Sequence, residues 1–306
     1  MAHRFGRYLV LVLVAIVAML AVAGAVGDQL LFRKAEESSK PANVRRVDKV
    51  YRLGFIDWFI ARRMTGSAKP LIVVLGDSQP YGFGLPEGEI VSARIQEARP
   101  AYRVFNLAVQ AGTVTDVRAI INRIAKNGVR PNYLVISFKF NDFSGDEDER
   151  LGPLAVPPAI YFMNLQRLVS FGVFDESLRF AGVPDNQFFV YQDTRKEDYT
   201  LDEVRLTRYL AALREMIAEA RRVSDHVILF STAVVTQSMA THYGIDVGEY
   251  RRIVQVTLEA CRAAGVVCLD LTEAFPGTLF FDLVHLNRGG HRALAQRLVE
   301  HIAVRP

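Results

Sequence analysis

The stretch Leu71-Ile72-Val73-Val74-Leu75-Gly76-Asp77-Ser78 sets the fold class of this 306-residue chain. Five apolar residues in a row, without polar alternation, fit a short strand buried on both faces of a parallel sheet. The Gly-Asp-Ser that follows presents a hydroxyl where the strand meets a turn. Similar apolar runs recur at Tyr102 to Leu107, Tyr133 to Phe138, His226 to Phe230 and Val266 to Leu271. Helical stripes separate them. Val117, Ile120, Ile121 and Ile124 share one face closed by Gly128; Leu206, Leu210, Leu213 and Ile217 form a second; Leu294, Leu298 and Ile302 form a third after Gly289-Gly290. Parallel neighbours need crossovers, so the alternation predicts a doubly wound α/β sheet with helices on both faces. Its ligand site is expected at the carboxyl ends of the strands.

Half of the residues are apolar and 23% are charged, a composition that excludes disordered, collagen-like and disulfide-scaffold proteins. The net charge of +4 is unevenly placed: residues 1–52 hold nine Lys/Arg against four Asp/Glu, and the remainder holds 28 against 29. A nucleic-acid binder needs a cationic face on its folded domain. None is legible, so nucleic acid is not expected as a partner.

Residues 1–7 are a basic N-terminus carrying Arg4 and Arg7. Tyr8 to Val26 is nineteen residues without a charge, about 28 Å as a helix and long enough to cross a bilayer. Residues 8–27 therefore read as a transmembrane anchor or signal sequence. Ala21-Val22-Ala23 or Ala23-Gly24-Ala25 offers a cleavage site, while the length of the run favours a retained anchor. Arg33, Lys34, Lys40, Arg45, Arg46 and Lys49 after the span oppose export on charge counting; a short basic leader before one large domain favours it. The expected location is a bacterial inner membrane, single pass, with the domain periplasmic or otherwise extracytoplasmic. Residues 28–69, polar and charged in character with one short aromatic patch around Phe55, Trp58 and Phe59, read as a stalk and leading helix. Residues 143–199 break the strand–helix rhythm with prolines and many aromatics, as expected of an ordered lid or cap. Cys261 and Cys268 lack metal-ligand spacing and read as buried small hydrophobes.

Ser78 needs a base to become a good nucleophile. Asp282-Leu283-Val284-His285 offers one after the last strand: three-residue spacing on a turn lets a carboxylate orient an imidazole and stabilise its cation. Taken alone, Asp282 is equally a helix-entry residue and His285 a satisfied surface histidine. Asn106 and Asn141 follow the second and third strands, at the same end of the sheet as Ser78, and their amides can donate to an oxyanion. His291 and Asp77 have no paired metal-ligand spacing, so no metal is expected. Gly-x-Ser-x-Gly is absent around Ser78, which argues against the α/β-hydrolase elbow.

Together these residues resemble the SGNH, or GDSL, hydrolase family. Its four blocks occur here in order: Gly76-Asp77-Ser78 with Gly82, Asn106 followed by Gly112, Asn141-Asp142, and Asp282-x-x-His285. The resemblance makes residues 70–306 one hydrolase domain, a three-layer doubly wound parallel α/β sheet of flavodoxin-like, SGNH-hydrolase type, with 143–199 inserted and an N-terminal transmembrane helix ahead of it. It implies that Ser78 attacks an ester, His285 is its base and Asp282 orients His285. The oxyanion hole would come from the amides of Ser78 and Gly112 and the side chain of Asn141, with Asp77 and Asn106 in support. Two departures stand out. The block-two glycine commonly falls five residues after the asparagine, at Ala111 here, so the amide of Ala111 or of Gly112 can donate. Lys139-Phe140 replaces the glycine that usually precedes the block-three asparagine.

The activity so implied is a membrane-anchored serine esterase, without cofactor. It would cleave O-acetyl-type esters of an envelope glycan or lipid through an acyl-enzyme. An acyltransferase handing the acyl group to a polysaccharide, beside a membrane acyl-donor protein, is a second reading. A non-catalytic envelope-binding protein is a third, disfavoured by the complete Ser, Asn, Asp and His set.

Overall fold

The computed structural model describes residues 12, 14–16, 18–19, 53–109, 112–139, 203–243 and 245–304. The insertion at 143–199, Asn141 and most of the 8–27 span lie outside the described residues. Among the described residues no helix is long and apolar enough to cross a membrane.

Among the described residues five strands, β1 (Leu71–Leu75), β2 (Arg103–Asn106), β3 (Tyr133–Phe138), β4 (His226–Ser231) and β5 (Val267–Leu269), form one parallel sheet in the order β2-β1-β3-β4-β5. Each lies within a residue of an apolar run legible in the sequence, or inside one. Among the described residues the α-helices are α1 (Leu53–Phe59), α2 (Ser78–Tyr81), α3 (Val91–Ala98), α4 (Val114–Lys126), α5 (Glu203–Val223), α6 (Thr236–Tyr243), α7 (Val247–Ala263) and α8 (Arg288–Val299).

Side chains alternate across the strands and build two cores. Val73, Leu75, Phe105, Leu134, Ile136 and Leu229 pack with residues of α1, α4, α5 and α7. Ile72, Val74, Val104, Val135, Ile228 and Phe230 pack on the opposite face with residues of α3 and α8. Strands with apolar side chains on both faces must be covered on both, which is why no alternation shows in their sequence.

The local signals of α4 are strong. Thr113 accepts the Asp116 N–H and Asp116 accepts the Thr113 N–H in a capping box, an N-cap worth about 1 kcal/mol. The leading helix, α1, packs on the body of the domain. Phe59 meets Phe105 edge-on with ring centroids 5.8 Å apart, and Asp57 pairs with Arg123 at 2.6 Å. Cys261 and Cys268 are not free hydrophobes: they form a disulfide that joins α7 to β5. Seven-residue spacing brought them together because the helix ends at Ala263 and the chain turns directly into the strand.

From β1 the chain moves outward to β2 and then returns to pair β3 on the other side of β1. The topological switch point, where open α/β sheets place ligands, therefore lies between the carboxyl ends of β1 and β3. Ser78 begins α2 just beyond β1, at this point.

Candidate active site

Gly76 makes the nucleophile turn possible. Its φ is +132°, and a Cβ there would lie 1.9 Å from Ser137 Oγ on β3, so a side chain is barred by both backbone and neighbour. Asp77 then caps α2: its Oδ1 accepts the Gln79 N–H at 3.2 Å and the Ser137 hydroxyl at 3.1 Å. The Asp77 N–H donates back to Ser137 Oγ at 3.3 Å, locking the turn to the sheet. α2 lasts one turn and stops at Gly82, whose φ is +78° and whose amide donates to Ser78 and Gln79 carbonyls. The Phe83 N–H also donates to the Ser78 carbonyl, at 3.1 Å.

The base arrives on the loop between β5 and α8. Asp282 Oδ1 accepts the N–H groups of Val284 and His285 at 2.9 and 2.7 Å, folding the loop into a tight turn. Asp282 Oδ2 lies 2.7 Å from His285 Nδ1, and His285 Nε2 lies 3.0 Å from Ser78 Oγ. An ionised carboxylate only accepts, so Nδ1 carries the proton and Nε2 is left to take the one on Ser78. The Phe83 ring lies against the imidazole, centroids 4.6 Å apart and planes tilted by 35°.

Electrostatics favour this arrangement. The side chains of His285 and Asp282 are only 19% and 14% exposed. Burial works against the charged form of His285, but the adjacent Asp282 carboxylate, their hydrogen bond and the nearby Asp77 outweigh it and raise the imidazole above its ordinary value. Burial likewise disfavours ionised Asp282; the His285 charge, its hydrogen bond and the two backbone N–H groups prevail and hold the carboxyl below its ordinary value. The imidazolium formed when His285 takes a proton is therefore stabilised where it forms.

The other expected site residues divide. Asn106 is 1% exposed. Its Nδ2 donates to the Pro80 carbonyl at 2.8 Å and Ser92 Oγ at 3.3 Å, and its Oδ1 accepts the Ala108 N–H at 3.0 Å. These bonds brace the nucleophile turn and the segment after β2. Gly112 approaches that turn closely, since a Cβ there would lie 2.9 Å from the Gly76 carbonyl. Its N–H, however, donates to the Val109 carbonyl at 2.8 Å, so it does not serve as an oxyanion donor in this arrangement. Ala111 and Asn141 lie outside the described residues. His291 is buried and its Nδ1 accepts the Val91 N–H at 3.0 Å, joining α8 to the start of α3. Among the described residues, no three His, Cys, Asp or Glu side chains gather as a metal site would require.

Three participants escaped the sequence reading. Ser137 had a signal, the lone small polar residue in the apolar run Tyr133–Phe138. Gln79 also had one, a polar residue directly after the nucleophile that becomes 2% exposed. Phe83 had none.

A strand-to-helix hydroxyl bonded to an imidazole, itself held by a largely buried carboxylate, has the geometry of a serine hydrolase. The chain belongs to the GDSL-like Lipase/Acylhydrolase family, whose model matches residues 72–298, and is an ester-bond serine hydrolase by class. No curated protein matches it. Solved structures similar to it include a lipolytic protein of the G-D-S-L family from Veillonella parvula, 15% identical, covering 76% of this chain and 97% of that one with a TM-score of 0.47. A catalytic mutant of Axe2, an acetylxylan esterase from Geobacillus stearothermophilus, is 17% identical over 79% of this chain and 97% of that one, with a TM-score of 0.44. LAE5, a hydrolase from the metagenome of Lake Arreo, is 15% identical over 78% and 96%, with a TM-score of 0.45.

Proposed function

We propose that the protein is a membrane-anchored, exported serine esterase that removes O-acetyl-type groups from an envelope glycan or lipid. The observation that carries the chemistry is the relay Ser78–His285–Asp282 at 3.0 and 2.7 Å. His285 Nε2 takes the Ser78 proton as Oγ attacks the ester carbonyl. The tetrahedral intermediate expels the alcohol, which receives that proton, and leaves an acyl-Ser78. Water then repeats the sequence, giving up its proton to His285 and releasing the acid. Asn141 and the Ser78 amide are assigned to the oxyanion.

Two observations support the location. The charge-free run from Tyr8 to Val26 has the length of a membrane span. The Cys261–Cys268 disulfide suits an oxidising compartment beyond the inner membrane. A tether there favours substrates within reach of the membrane surface, hence the envelope.

The test is to supply the full chain, in detergent or nanodiscs, with an O-acetylated oligosaccharide and a non-acetylated acceptor. Free acetate equal to the acetyl lost is expected. Acetyl appearing on the acceptor without free acetate would replace hydrolysis by transfer, and no acetyl loss at all would leave a binding protein.

A further inference from the structure

The residue after the nucleophile ties the base to it. Gln79 Nε2 donates to the Ala233 carbonyl at 2.8 Å and to the Val284 carbonyl at 2.7 Å, while Gln79 Oε1 accepts the Ala233 N–H at 2.9 Å. These partners fix the amide orientation, because two carbonyls must face the NH2 group and the N–H must face oxygen. Ala233 continues the chain beyond β4. Val284 directly precedes His285.

The consequence is a paired clamp. Ser78 and His285 meet at 3.0 Å, and their chain neighbours Gln79 and Val284 meet at 2.7 Å. The flanking carbonyls of the base loop are held from elsewhere: Leu283 by the Val235 N–H at 2.9 Å, His285 by the Phe281 N–H at 2.8 Å. Those bonds fasten the loop to the segment after β4 and to itself. Gln79 fastens it to the serine turn, with two segments secured by one side chain.

We propose that Gln79 is a positioning residue of the esterase reaction, holding the His285 loop in register with Ser78 so that Nε2 stays within reach of Oγ. This rests on Ser78 and His285 being nucleophile and base. A displacement of about 1 Å in such a pair costs about 100-fold in rate. Removing the amide leaves three buried or half-buried backbone groups without partners, which the loop can remedy only by moving. The Leu283 and His285 carbonyl bonds remain, so the loop shifts without unfolding.

Two variants of the full chain test this, Gln79→Glu and Gln79→Met. The first keeps an acceptor for Ala233 but, when ionised, loses both donations; the second keeps the length without polarity. Readouts are kcat and KM on an aryl acetate, the pH profile, fluorophosphonate labelling of Ser78, and Tm. In both variants kcat is expected to fall about 10- to 100-fold with KM changed less than about twofold, and labelling to slow in parallel. In Gln79→Glu the added negative charge near His285 moves the acid limb of kcat/KM to higher pH. Folded variants that turn over and label at wild-type rates would overturn the role of Gln79 alone. A rate loss matching only the unfolded fraction, with an unmoved pH profile, would do the same. If the wild type itself does not label at Ser78, the serine–histidine reading falls and this inference falls with it.

Discussion

The serine turn and the histidine loop are each built on an aspartate, and the two carboxylates do different work. Asp77 and Asp282 both bend the chain by accepting backbone N–H groups a few residues ahead: Gln79 in the first case, Val284 and His285 in the second. The Asp77 oxygen that does this also takes the Ser137 hydroxyl and so anchors the turn to β3. Asp282 directs its second oxygen at the His285 ring. Ordinary turn capping thus makes both loops rigid, and one remaining oxygen facing an imidazole makes the second of them chemical. An isolated Asp in a turn cannot be assigned from sequence because capping alone explains it; its role depends on what the other oxygen meets.

The largest effects are expected at the relay itself. Ser78→Ala and His285→Ala should each lower kcat/KM on an aryl acetate by about 10⁴-fold or more, with Tm close to wild type. Asp282→Asn should cost about 10³- to 10⁴-fold. It should also shift the acid limb of kcat/KM to lower pH, because the carboxylate chiefly responsible for raising the His285 pKa is gone and burial is then opposed only by the nearby Asp77. Asp77→Asn should cost about tenfold or less, since it disturbs a brace rather than the proton path. A loss equal to that of Asp282→Asn would erase the distinction between the two aspartates.

The relay also makes a pH-dependent contribution to stability with a definite sign. His285 is raised, so its stabilisation is present below the ordinary histidine value and fades as pH rises through the raised one. Asp282 is lowered, so its stabilisation is present above the ordinary carboxyl value and fades as pH falls through the lowered one. The pair should therefore stabilise most between about pH 4 and 6.5, whereas turnover needs neutral His285 and rises above that window. Tm of the wild type minus that of Asp282→Asn, followed against pH, should peak where activity is low; coincident maxima would contradict this. The smallest effect on turnover is expected at Cys261→Ser with Cys268→Ser, which should lower stability by about 2 kcal/mol and leave kcat unchanged.

Much of this was legible in the sequence. Strands covered on both faces announce themselves as unbroken apolar runs, and the helix stripes between them dictate a parallel sheet. The Gly-Asp-Ser after the first apolar run put Ser78 at the carboxyl end of a strand, where the site was expected, and Asp282-x-x-His285 carried its own geometry because three-residue spacing closes one turn; the strand order that makes this end the switch point came from the structure. Contacts between distant segments were not legible. Nothing local says that Gln79 reaches Val284, 205 residues away, or that Phe83 lies on His285. The disulfide was hidden for a related reason: seven-residue spacing closes only if the helix ends where it does. The choice between the Ala111 and Gly112 amides was not legible either, because a glycine motif marks a close approach and does not show that the Gly112 N–H is engaged with the Val109 carbonyl.

The most direct measurement is fluorophosphonate labelling of the full chain, with the modified peptide identified by mass spectrometry and the reaction repeated on His285→Ala. A single adduct on Ser78, formed far more slowly in the variant, is the expected result. A folded protein that stays unlabelled at Ser78, or one labelled equally fast without the imidazole, would contradict the account.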